Sequence, residues 1–178
     1  MSNVANNGIK LKSIIRKYLN VDCTFLKKVE DPNYDFGFEV KYPKIKDVKG
    51  KSKGRYLVIL KPKKKYFLRI INNIQLDEEG TKIYNELDVD KKNLLIDEIR
   101  NFLILQNLLQ TFNKDNLRIT FLDKLYFSNS DFPSINDLYH SIMKVINAQI
   151  IVMNILTARL SIKNINQDDL NFENSYFQ

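Results

Sequence analysis

The stretch Tyr34-Asp35-Phe36-Gly37-Phe38-Glu39-Val40-Lys41-Tyr42 decides how the rest of the chain is read. Large apolar and aromatic residues at every second position alternate with charged or small ones, the period of two that places one set on a single face of a β-strand. Asp31-Pro32-Asn33 ahead of it has the residue types of a turn, and Pro43 behind it closes the strand because proline brings no N–H to the ladder. Two further runs, Tyr56 to Leu60 and Tyr66 to Ile71, are rich in aromatic and β-branched residues and are joined by Lys61-Pro62-Lys63-Lys64-Lys65. Three strands linked by hairpins predict an antiparallel meander.

Outward from the meander the pattern turns helical. Leu11, Ile14, Ile15, Tyr18 and Leu19 recur at helical spacing over Ile9 to Leu19, and Val21, Cys23 and Phe25 then alternate as a short strand. Asp77, Glu78 and Glu79 suit the first turn of a short helix. A second helix starts after Asp88 or Asp90 and runs through Leu94, Leu95, Ile99, Phe102, Leu105, Leu108 and Leu109 to Phe112. Leu117, Ile119 and Phe121, followed by Leu125 and Phe127, return one long strand or a tight pair to the sheet. Ser134 and Asp137 stand at capping-box spacing and open a 26-residue helix from Ile135 to Leu160. The expectation is one α+β domain over residues 1–160, an antiparallel sheet of about three meander strands plus one or two later ones with helices packed on it. The polar tail 161–178 is expected to fray or be disordered.

Charge is distributed unevenly along the chain. Residues 1–75 hold 18 Lys and Arg against 6 Asp and Glu, and the remainder holds 10 against 15. Lys44, Lys46, Lys49, Lys51, Lys53, Lys61, Lys63, Lys64 and Lys65 all fall between residues 41 and 65, where Asp47 is the only acid. Such a run attracts polyanions, and Tyr42, Tyr56 and Tyr66 lie near enough in sequence to stack bases. Lysine outnumbers arginine 22 to 6, whereas phosphate forks favour arginine. A lysine-rich pair of solvated turns explains the same run.

The residues that do chemistry are few. One histidine and one cysteine cannot supply a Cys/His zinc site, and His140 reads as a helix-surface residue beside Asp137, Cys23 as a small core residue. Gly50-Lys51-Ser52 lacks the earlier glycine of a phosphate-binding loop, and Asp88 and Asp90 lack the glycine and terminal glutamate of a calcium loop. No catalytic residue, metal or cofactor is expected, and the chain reads as a binding module rather than an enzyme. A single cysteine and a polar amino terminus lead to a cytoplasmic expectation. The apolar run Val145 to Leu156 lies between Lys144 and Arg159, too short to span a bilayer, which takes about 20 apolar residues, so it reads as a buried or interface helix. Its residues Ile146, Ile150, Ile151, Met153 and Ile155 form the expected self-association or partner surface, beside a polar strip of Asn147, Gln149 and Asn154.

The segment from Asp31 to Pro43, DPNYDFGFEVKYP, resembles the corresponding stretch of an uncharacterised archaeal family assigned to the type III secretion chaperone-like fold. The resemblance covers about Ile9 to Leu160. It implies a homodimer with an apolar surface that receives another protein, and it supplies no catalytic residues. The expected function is therefore a dimeric protein-binding or scaffold module. The alternative is a nucleic-acid-associated accessory protein using the basic turns, with an enzyme of unknown type third.

Overall fold

A computed structural model describes residues 2–46, 49, 53–128 and 131–161. Lys51 and the tail beyond Ser161 lie outside the described residues. Six strands, β1 (Thr24–Lys28), β2 (Tyr34–Tyr42), β3 (Arg55–Pro62), β4 (Phe67–Ile74), β5 (Leu109–Asn113) and β6 (Arg118–Tyr126), form one sheet in the order β1-β2-β3-β4-β6-β5. The helices among the described residues are α1 (Ser2–Asp22), α2 (Glu78–Glu86), α3 (Val89–Leu105) and α4 (Ile135–Leu160). This is an α+β fold with an antiparallel sheet, as expected. The chain groups into two compact units, residues 1–71 with 123–143 and residues 72–122 with 144–178.

In the first unit the meander is built as its alternation dictates. Phe38 pairs with Ile59 and Val40 with Leu57, so one face of β2 and β3 is a row of fully buried apolar side chains. The Phe25 ring meets Phe38 edge-on at 5.7 Å, and the Arg16 guanidinium of α1 covers Phe25. Tyr139 of α4 packs against Tyr42 on this same face and donates a 2.7 Å hydrogen bond to the Tyr18 carbonyl. The expectation of one buried face falls short here, because Gly37 and Glu39 on the other face of β2 are buried as well. Gly37 shows how: a Cβ there would stand 2.7 Å from both Leu60 Cδ2 and Val29 Cβ, so only glycine lets these two side chains close over the strand.

α1 is longer than its apolar period suggests. It runs to Asp22, so Val21 is an exposed helical residue and not the start of a strand. α4 opens on the capping box read from the sequence: the Ser134 hydroxyl accepts from Asp137 N–H at 3.1 Å, and Asp137 Oδ2 accepts from Ser134 N–H at 3.0 Å.

In the second unit, Asp77 accepts from Gly80 N–H at 2.7 Å and Asp88 from Lys91 N–H at 2.8 Å, which caps α2 and α3. α3 does not continue to Phe112. Asn107 adopts φ 52°, and bonds from Asn107 N–H to the Ile104 carbonyl and from Leu108 N–H to the Leu103 carbonyl close the helix. The chain then reverses into β5, which pairs with β6 from Leu109↔Leu122 to Asn113↔Arg118. The part of α4 in this unit buries Val145, Ala148, Val152 and Leu156. Arg159 near its end is tied to Glu98 of α3 at 2.8 Å. By length and composition α4 could cross a membrane, and half of its apolar window is buried inside the protein.

Candidate functional site

The single basic window of the sequence becomes two separate turns. β2 and β3 are antiparallel, so Lys44, Lys46 and Lys53 lie at one end of β3 and Lys63 to Lys65 at the other. Eight residues of β3 hold them roughly 26 Å apart at about 3.3 Å per residue. At the first end Lys44, Lys46, Lys49 and Lys53 are exposed, and Lys44 Nζ donates to the Asn20 carbonyl at 3.3 Å. Nearby, Lys41 lies 4.5 Å from the centre of the Tyr56 ring.

At the second end Lys61 is not a surface cation at all. It is 6% exposed, bonded to Asp35 at 3.0 Å and to the Pro62 carbonyl at 2.9 Å. Lys63, Lys64 and Lys65 are exposed, in a turn closed by Lys65 N–H to the Pro62 carbonyl. Lys64 sits at φ 58°, a conformation that costs a residue with a Cβ about 1 kcal/mol and that glycine or asparagine adopts more cheaply. The turn leads into Tyr66, 51% exposed, and the end of β6 returns beside it, fixed by Phe127 N–H to the Tyr66 carbonyl at 3.0 Å.

A ring and cation cluster results. Tyr126, 68% exposed, meets Phe67 edge-on at 5.5 Å. The Lys124 ammonium lies 5.2 Å and the Arg69 guanidinium 5.8 Å from the Phe67 centroid. Arg69 Nη1 also donates to the Tyr34 hydroxyl at 3.4 Å, while its Nε is buried with no acceptor among the described residues. Arg69 and Lys124 therefore flank the Phe67–Tyr126 pair, and Lys63, Lys64 and Lys65 stand in the turn that leads into Tyr66. Of the carboxylates at this end, Asp35 is committed to Lys61, while Asp31 lies in the turn whose Asn33 carbonyl accepts from Lys63 N–H and Asp131 is bonded to Ser128 beside Phe127. Sequence reading named the lysines and Tyr66 but missed Phe67, Arg69, Lys124 and Tyr126. Strand parity places Phe67 and Arg69 on one face, and only knowledge of where β6 returns adds Lys124 and Tyr126.

The expected α4 surface divides differently. Ile146 and Met153 are buried, Ile150 and Ile155 are half-buried, and Ile151 is 41% exposed. Gln149, read as part of a polar strip, is buried with its Oε1 lacking a partner among the described residues. The helix is thus turned so that Asn147, Ile151 and Asn154 face outward.

The two residues weighed for chemistry, Cys23 and His140, are both described. Burial, helped by the Asp22 charge, pushes the Cys23 thiol up to about 12, so it is protonated at neutral pH and unsuited to attack. His140 is exposed, and Asp137, held below the ordinary carboxylate value by its bonds to Ser134 and then by His140, serves as a cap. Among the described residues no three His, Cys, Asp or Glu side chains are placed to hold a metal ion. The second unit has an open cleft of about 620 Å³ lined by Gln75, Asp77, Glu78, Lys82, Glu86 and Asn116 among others, with neither histidine nor cysteine in its wall.

Comparison with known proteins agrees with the fold and is silent on activity. No curated protein matches the chain. A crystal structure of an uncharacterized protein from Methanothermobacter thermautotrophicus superposes with a TM-score of 0.71 at 21% identity, covering 84% of this chain and 99% of that one. The model of an uncharacterized conserved protein family, DUF2299, matches residues 11–156, and the chain belongs to that family.

Proposed function

We propose that this protein is a non-catalytic, cytoplasmic binding module whose ligand is a polyanion held at the β3–β4 turn. The observation that carries the reading is the gathering of Lys63, Lys64, Lys65, Arg69 and Lys124 at one end of the first unit, with the nearby Asp35 already neutralised by Lys61. Clustered cations raise the local concentration of polyanions, and counterion release adds affinity. The strained Lys64 supports the reading further, since a turn optimised only for stability would place glycine there. Replacement of Lys63, Lys64 and Lys65 by alanine tests it: the triple variant should leave a heparin column at clearly lower salt than the wild type. Equal elution of two folded proteins would remove the turn from the account.

A second reading, a homodimeric protein-binding module of the type III secretion chaperone-like kind, draws support from the order of elements and from apolar side chains exposed in the second unit. Leu94, Ile104, Leu105, Leu109 and Ile151 are each more than one third exposed. An affinity capture that survives nuclease and high salt would favour this reading over the first.

A further inference from the structure

Resting on the polyanion reading, we propose that the ligand at the β3–β4 turn is single-stranded nucleic acid, its bases stacked on Tyr126 and Tyr66 and its phosphates met by the surrounding cations. Charge alone would suit heparin or polyphosphate equally well. What those polymers lack is a π-face to stack on the aromatic side chains of this end: Tyr126 is 68% and Tyr66 51% exposed, and Phe67 supports Tyr126 edge-on at 5.5 Å. Large aromatic side chains exposed between cations serve a ligand with π-faces, and every nucleobase has one.

The strand state follows from the same geometry. In a duplex the base faces are stacked against each other, and a protein ring reaches them only by wedging between steps. Tyr66 follows the Lys63–Lys65 turn, and Tyr126 ends β6 against Phe67, whose ring Lys124 and Arg69 approach, so each exposed ring has cations close to it. That arrangement receives splayed bases with their phosphates beside them. It offers no element for a groove.

The chain has nine tyrosines and no tryptophan, so tyrosine emission reports stacking without a label. Wild-type protein is titrated with a twelve-nucleotide single strand of oligo(U) or oligo(dT), with a twelve-base-pair duplex, and with heparin. The single strand should quench emission and bind more tightly than the duplex, and heparin should bind without quenching. Tyr126→Leu should weaken single-strand binding about 5- to 150-fold, the range for loss of one stacked base, and change heparin binding less than about twofold. Tyr66→Leu is the companion variant if Tyr126→Leu does not fold. Heparin binding with no quenching by the single strand, or an equal loss for both ligands in the tyrosine variants, would overturn the inference and leave the polyanion reading standing. Failure of all three ligands to bind would overturn both.

Discussion

Lys61 Nζ stands 3.0 Å from Asp35 Oδ2, and the lysine side chain is almost wholly buried while the aspartate is one third exposed. The ammonium also donates to the Pro62 carbonyl and lies 5.8 Å from the centre of the Phe127 ring. A lysine that composition assigns to a basic surface is therefore part of the structure that holds the surface in place. Removing its counter-charge leaves a buried cation partly uncompensated. Asp35→Asn should lower unfolding stability by about 1–3 kcal/mol in urea titration, less than for a fully buried pair because Asp35 retains water contact. No change in midpoint would mean that the pair is bookkeeping without energy.

Lys64 supplies a test in the opposite direction. Its φ of 58° is relaxed by glycine, so Lys64→Gly should raise stability by up to about 1 kcal/mol while weakening polyanion binding. Thermal unfolding and heparin elution measured on one preparation decide it. A variant that is both less stable and unchanged in binding would show that the lysine is there for local packing.

Cys23 should be silent to alkylating reagents at pH 8 in the folded protein and react only in denaturant, because burial holds the thiol protonated. The linkage sign follows from a folded value raised above the ordinary 9.0. This contribution to stability is complete below about pH 9 and is lost as pH climbs toward 12, when the unfolded chain ionises first. Rapid labelling of folded protein at pH 8 would contradict the burial.

Asp137 behaves inversely. Its value is depressed by the bonds from Ser134, so its contribution is present above the ordinary carboxylate value of 3.8 and fades as pH falls below it. Ser134→Ala should lower the urea midpoint at pH 7 and lower it by less in acid, a difference readable at two pH values. A loss that grows in acid would rule out the capping interaction as its source.

On α4, Ile146→Asp should prevent folding, since Ile146 is buried, whereas Ile151→Asp should fold because its side chain reaches solvent. If two copies meet on this strip, sedimentation of Ile151→Asp will show a monomer where the wild type shows a dimer. Identical sedimentation of the two would remove the strip as an interface.

How far the sequence carries the structure differs from element to element. Period-two alternation named β2 and the hairpin strands because the Phe36, Phe38 and Val40 row has one physical solution. The Ser134 and Asp137 spacing announced α4. β5 was hidden because Leu105, Leu108, Leu109 and Phe112 also satisfy a helical period, and only the left-handed Asn107 breaks it. The basic run misled in another way. Counting lysines along the chain cannot show that an antiparallel hairpin sends Lys44, Lys46 and Lys53 to one end and Lys63 to Lys65 to the other, or that Lys61 turns inward. Long-range return of β6 brought Lys124 and Tyr126 to the site, and no local signal encodes that.

The central claim is tested most directly by the affinity of the wild-type protein for a twelve-nucleotide single strand at salt concentrations from about 50 to 200 mM, followed by anisotropy. With about five cations in contact, log K should fall linearly against log salt with a slope of roughly −3 to −4, since each phosphate contact on a single strand contributes about −0.7. A slope near zero, or no binding at the lowest salt, would contradict the assignment of the β3–β4 turn as a site for single-stranded nucleic acid.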